Sequence, residues 1–411
     1  LIRLTLCLLC LGAEDPVLYQ RYAPHLLPDP LSDETNRYES QASHFGQWLF
    51  FETAFSPNGA VACVTCHLPE KGFADGLNLS VGMQKVSRHT PGLLNVVYNR
   101  WFFWDGRRDS LWSQALGPFE EPKEIGTNRL AMLHLIARDT AMREAYEALF
   151  GELPPLHETA RFPAAAMPLP KQPKHFLNQA WLTMSESDRD LVNRAFANLG
   201  KAIAAYERQL ISKDSPFDAY VSALKTGADD HGFSEQQQRG LALFTGKAKC
   251  RLCHAGPNFT DGEFHNTGIP PLEGGTPRDS GRYEGIPQLL ADPFRADGPY
   301  SDAPQGKAGK RLGFLQRQGD QWGQFKTPGL RDVARTAPYM HQGQLASLEE
   351  VVSFYNTLEQ QIRLGHHQDP LLMPLGLSSA EQADLVAFLK GLNGQSLPSH
   401  LLVKPTSPMA P

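Results

Sequence analysis

Two five-residue strings, CVTCH at positions 63–67 and CRLCH at 250–254, hold the side chains best suited to chemistry in this chain. Two cysteines three residues apart project from one face of a turn, and a histidine directly after the second points at whatever they hold. That pattern suits thioether attachment of a haem to both sulfurs, with the histidine as proximal iron ligand. Structural zinc is the competing reading, but zinc-binding cysteine pairs usually lie within tens of residues of each other and need no histidine immediately after. The expectation is two covalently bound c haems, one on Cys63, Cys66 and His67 and one on Cys250, Cys253 and His254.

The elements around the strings repeat. GQWLFF precedes the first and GFADG follows it; GLALF precedes the second and NFTDG follows it. Each copy reads as an apolar helix, a haem loop and a glycine turn, so duplication is the economical account. Ser234 and Gln237 form a capping box opening the helix that runs into GLALF, and Ser378 with Glu381 opens the amphipathic SSAEQADLVAFLKGL. SDRDLVNRAFANLGKAIAAYERQLI has apolar residues at helical spacing. Strand signals are few. The predicted fold is mainly α, with two cytochrome c-like haem domains and long connecting loops: residues 14–215 for the first and 216–411 for the second. Between about 152 and 175 the proline density forbids regular structure and predicts a surface insertion.

The 411 residues carry a formal charge of −5, with no Lys/Arg run, which gives a nucleic-acid partner or an anionic membrane surface no support. Residues 1–13 put one arginine before a short apolar stretch and read as the remnant of a signal peptide, implying export to the periplasm and no transmembrane span in the mature chain. Of six cysteines, Cys7 and Cys10 lie in that leader and the other four in the two strings, so none remains for a disulfide framework.

A His-ligated haem is first an electron carrier, for which Met340 or Met373 would supply a sixth ligand. An enzyme needs one iron left open, with acid–base groups above it. NRWFFWDGRRDSLWSQALGPFEEPKEIGTNR, both strings, and the later KTPGLRDVARTAPYMHQGQLASLEEVVSFY together resemble the bacterial di-haem cytochrome c peroxidase and MauG family. The resemblance runs over nearly the whole chain after the leader and rests on separated motifs in the right order.

Carried over by position, the resemblance makes Trp104 the tryptophan bridging the two haems, puts Gln114 and Pro118 in the distal pocket of the first, and makes Glu124 its carboxylate. Glu124 is the group to take a proton from one peroxide oxygen and return it to the other, while Gln114 orients the ligand. On residue type alone, Glu124 is more simply a solvated charge beside Glu120, Glu121 and Lys123. Tyr355 stands where cytochrome-like members have a methionine ligand to the second iron, which points to the MauG-like branch, with phrases closest to its MbnH-like group. A phenolate is a hard donor that favours oxidised iron. The implied function is a periplasmic oxidase that uses hydrogen peroxide, through a bis-ferryl state, to oxidise a residue, first of all tryptophan, of a partner protein. The alternatives are a peroxidase fed by a small cytochrome or cupredoxin and, more distantly, an electron-transfer cytochrome.

The resemblance also implies one calcium ion between the halves, held by backbone oxygens of Thr336 and Pro338. His89 stands where the family usually has an asparagine ligand, and Asn95 is the residue to compensate. His341 is expected to pack near the second haem, and His44, His134, His265, His366 and His367 to be ordinary surface or core residues.

Overall fold

The computed structural model describes residues 15–38, 41–228, 231–363, 365 and 367–409. The leader with Cys7 and Cys10, and His366, lie outside the described residues. Helices dominate: α1 Pro16–Tyr22, α2 Ser43–Phe51, α3 Cys63–Cys66, α4 Leu111–Glu120, α5 Arg129–Arg138, α6 Thr140–Phe150, α7 Phe176–Thr183, α8 Glu186–Glu207, α9 Pro216–Thr226, α10 Glu235–Thr245, α11 Arg282–Ala291, α12 Lys307–Leu312, α13 Leu348–Thr357 and α14 Ser379–Lys390. The named strands are β1 Phe264–His265 and β2 Phe325–Lys326, which pair antiparallel with Phe264 opposite Lys326. Serine begins many helices for a local reason. Ser110, Ser185, Ser234, Ser347 and Ser378 each accept the backbone N–H three residues on, satisfying a donor the helix cannot. Each such cap contributes about 0.5–2 kcal/mol.

The two halves are built in the same order. In the first, α2 packs on α8; in the second, α10 packs on α14. Both crossings turn on a glycine, because a Cβ at Gly46 would sit on the carbonyl oxygen of Ala202 and one at Gly240 on that of Asp384. One turn later Phe50 and Phe244 fill the cores. After each CxxCH string the chain places a buried phenylalanine in the left-handed region, Phe73 at φ 60° and Phe259 at φ 51°. Thr-Pro-Gly-Leu then recurs at 90–93 and 327–330, followed in each half by a left-handed residue, Asn95 or Asp332, and a turn of 3-10 helix. Isolated bridges Phe102–Arg108 and Tyr339–Leu345 lead to the caps Ser110 and Ser347 and so into α4 and α13.

One apolar core gathers Phe45, Trp112, Phe119, Leu133, Phe196 and Ile203, and a second Phe217, Phe244, Phe259, Val352 and Phe388. A cut at 215/216 does not separate them. Tyr22 of α1 belongs to the second core, while Phe294, Tyr300 and Leu401 belong to the first. The expected surface insertion at 152–175 also needs correcting. It lacks helix and strand, but Leu156, Phe162 and Ala166 are buried in the first core, and the Ala166 N–H bonds to Asn128 Oδ1 at 3.1 Å. Proline forbids regular backbone hydrogen bonding without forbidding burial of the residues between prolines.

Candidate functional site

Around the second string lies a cavity of about 530 Å³, within the range of cofactor pockets. Cys250, Cys253 and His254 line it, and so does Tyr355 in the last turn of α13. His254 Nδ1 bonds to the Phe259 carbonyl at 3.0 Å. A carbonyl only accepts, so Nδ1 carries the proton and Nε2 keeps a free lone pair. Burial pushes the His254 pKa down, keeping the ring neutral and fit to ligate. Burial, with the two cysteines nearby, pushes the Tyr355 phenol up. An uncoordinated phenol there stays protonated; a cation replacing that proton would receive a phenolate oxygen. Met340 and Met373 line the same cavity; Met340, like Tyr355, packs on the cluster of Ile269, Phe354 and Leu358, and Met373 is half-exposed.

The first string repeats the arrangement. His67 Nδ1 bonds to the Phe73 carbonyl at 2.7 Å, again leaving Nε2 free, and burial again lowers its pKa. The four cysteines of the two strings are free thiols, and burial pushes Cys66 and Cys250 up to about 12. Paired thiols together with a pinned, neutral imidazole fit covalent haem at both strings.

On α4, Gln114 and Pro118 are four residues apart and share a face. Pro118 lies eight residues after its cap Ser110, as Tyr355 lies eight after Ser347. The position that offers a phenol in one half therefore offers a ring with no donor atom in the other. Beyond α4 the chain doubles back, with Ile125 N–H on the Pro118 carbonyl at 3.0 Å and Met83 N–H on the Glu124 carbonyl at 2.8 Å. These bonds bring Glu124 to the cysteines, where its charge acts on both Cys63 and Cys66. It is not a solvated charge: burial raises its pKa, with the Arg107 guanidinium opposing and Glu121 adding.

Trp104 lines the cavity of the second string, held by its indole N–H on the His89 carbonyl at 2.8 Å and by the Lys326 N–H on its own carbonyl at 2.8 Å. Of the residues expected around calcium, Thr336 and Pro338 line the same cavity. Asn95 spends its side-chain amide on Ser212, donating to the carbonyl at 2.8 Å and accepting the N–H at 3.0 Å. His89 is buried, with Nδ1 on the Leu77 carbonyl at 2.7 Å, and the Thr336 carbonyl also helps hold its proton.

Sequence reasoning missed three groups here. Arg107 lies 3.5 Å from the centre of the Phe103 ring, pairs with Asp105 at 3.1 Å and faces Glu124; its place in WDGRR was the available signal. His265, expected to be ordinary, is held between Asp261 at 2.9 Å and Asp369, which with Cys253 pushes it up to about 11 and makes it a cation beside the second string. Lys326 lies on the cavity wall. His341 does pack there, stacked 3.7 Å from Phe325 and pushed by burial down to about 4.

A family model described as di-haem cytochrome c peroxidase matches residues 40–226. The methylamine utilization protein MauG of Methylorubrum extorquens is 30% identical over 90% of this chain and 83% of its own, and the cytochrome-c peroxidase IdrP2 of Denitromonas iodatirespirans is 31% identical over 88% and 83%. Among solved structures, a MauG-like protein associated with microbial copper homeostasis superposes with a TM-score of 0.61 at 26% identity, covering 93% of this chain and 96% of that one. The di-haem peroxidase BthA of Burkholderia thailandensis shares the fold, with a TM-score of 0.64 at 22% identity over 94% and 97%. With relatives of this identity aligned along most of both chains, the protein belongs to the di-haem cytochrome c peroxidase and MauG family and is a haem-dependent oxidoreductase acting with peroxide.

Proposed function

We propose that this chain spends peroxide at the first string to oxidise a residue, first of all a tryptophan, of a partner protein outside the cavity, in the periplasm. The observation that carries the reading is the asymmetry between equivalent helices: Pro118 offers no donor atom where α13 offers the Tyr355 phenol, so a haem held at the first string would keep a position for peroxide and one held at the second could take a hard oxygen donor. Bound haem supplies the redox capacity for a two-electron oxidant. The residues do the rest. Glu124, desolvated and opposed by Arg107, accepts a proton from the near peroxide oxygen and delivers it to the far one as the O–O bond breaks, leaving as water. Gln114, on the same face as Pro118, orients the incoming peroxide. Trp104 is a pinned indole on the cavity wall, with little freedom to reorganise when it passes an electron.

Met340, which lines the same cavity as Tyr355, favours a second reading in which a thioether ligates and a small cytochrome or cupredoxin supplies the electrons. Electron paramagnetic resonance and optical spectra of the diferric protein, before and after one equivalent of peroxide, separate the two. One high-spin and one low-spin iron are expected, with a long-lived near-infrared band that Tyr355→Met abolishes. Rapid turnover with a reduced small cytochrome and no such band would favour the second reading. Two low-spin irons unmoved by peroxide would overturn both and leave an electron carrier.

A further inference from the structure

Among the described residues most buried cations have a carboxylate against them, and buried Arg282 donates to the backbone carbonyls of Asp105 and Gly106 at 3.3 and 2.8 Å instead. Lys201 lies 2.8 Å from Asp302, Arg88 2.6 Å from Asp105 and 2.8 Å from Asp279, Arg129 2.6 Å from Glu120, and Arg331 2.8 Å from Asp218. Lys326 departs from the pattern. Its backbone is fixed twice, by pairing with Phe264 and by the Trp104 carbonyl, so its side chain is committed to the cavity it lines. Among the described residues no carboxylate pairs with it, and burial alone, with no charge opposing, pushes it down to about 8. Two acids line the same cavity, Asp369, taken by His265, and Asp332, which pairs with Arg335 at 3.6 Å. An ammonium left this way is destabilising unless an anion arrives.

We propose that Lys326 is the counter-charge for a carboxylate arm of the tetrapyrrole that Cys250, Cys253 and His254 hold, making it a positioning and potential-setting residue of the second site. The inference rests on the reading that this cavity takes a covalent haem. Cavity, cysteines and imidazole would give the macrocycle its attachment and axial ligand, while among the described lining cations Lys247 is paired with Glu381 and Arg331 with Asp218, which leaves the acidic edge Lys326 and, on the exposed rim, Lys249. A positive charge paired to that edge disfavours the ferric state. Its place beside Trp104 also puts the charge on the route between the two strings.

The test is spectroelectrochemical titration of the holoprotein, wild type against Lys326→Met, Lys326→Gln and Lys326→Arg, with intact-chain mass spectrometry on each. With two haems attached, the Met and Gln variants should shift the ferric/ferrous equilibrium of the second haem at least tenfold toward ferric, which is 59 mV for one electron. The Arg variant and the first haem should stay within twofold of wild type. Two haems attached and an unmoved second potential in both neutral variants would overturn the proposal alone. A wild-type mass with no haem on Cys250 and Cys253 would instead overturn the underlying reading. If the Met variant does not accumulate, the Gln variant, which keeps a polar head, carries the same comparison.

Discussion

Replacing Glu124 with glutamine isolates the proton chemistry from the scaffold. The backbone here is held by Met83 N–H on the Glu124 carbonyl at 2.8 Å and by Glu124 N–H on the Glu121 carbonyl at 3.0 Å, neither of which involves the side chain. The amide is isosteric and neutral, so the loop should keep its place and both haems should attach. What it loses is the ability to take and return a proton, worth roughly 10²–10⁴-fold, or about 2.7–5.4 kcal/mol at 1.36 kcal/mol per decade. Stopped-flow mixing with peroxide under pseudo-first-order conditions measures this directly. Burial holds the Glu124 pKa above the ordinary carboxylate value. The wild-type rate should therefore climb with pH as the carboxylate forms, and the variant should lose that limb. Stability moves the other way. Over the interval between the ordinary and the raised value the folded chain keeps a proton that the unfolded chain has released, so the fold weakens as pH rises through it. Glu124→Gln should flatten that part of the profile. A variant within twofold of wild type in peroxide rate at every pH would refute the assignment.

Two further predictions concern the scaffold. Gly240→Ala forces a methyl onto the Asp384 carbonyl at the α10–α14 crossing and should cost about 1–3 kcal/mol in urea unfolding, while Gly319→Ala, with open space around it, should be near neutral. Arg331→Met removes both 2.8 Å guanidinium bonds to buried Asp218, leaving it only the bonds from Ser215, and should cost about 3–5 kcal/mol. Asp218 has its pKa held down by Arg331 against the raising effect of burial, so the wild type loses this contribution as pH falls through the depressed value. Acid titration of the melting temperature should show that dependence shrink in the variant.

What could be read from the chain alone was local. The CxxCH strings, the capping boxes at Ser234 and Ser378 and the periodicity of α8 each lie within one or two turns, and the structure has them where they were expected. The Pro118–Tyr355 equivalence was also present, as two serine caps each followed eight residues later by the telling side chain, but it shows only once the repeated Thr-Pro-Gly-Leu is aligned. Groups that depend on distant partners were invisible. His265 is pushed up first by Asp261, four residues away, then by Cys253 and by Asp369, the last 104 residues away, and Lys326 is notable because among the described residues no carboxylate pairs with it. Asn95 looked like a free oxygen donor until Ser212, 117 residues on, took both ends of its amide. The buried Phe162 hid among prolines for a related reason: composition reports how backbone bonds are made, not where a side chain ends up.

The segment after α14 runs back across the other half. Tyr206 donates to the Leu401 carbonyl at 2.6 Å, Gln47 to that of Val403 at 2.8 Å, and Lys404 reaches Glu52 at 2.6 Å. Leu401 then plugs a core otherwise formed mostly by residues 42–210. A chain made from its N-terminus presents its first cysteine pair long before this strap exists. The earlier half must wait, unsealed, for residues 401–404 to emerge. That order leaves the first cysteines reachable during synthesis and makes closure a late act of assembly. A protease nick near residue 395 should therefore loosen the far half of the molecule, not the half that was cut.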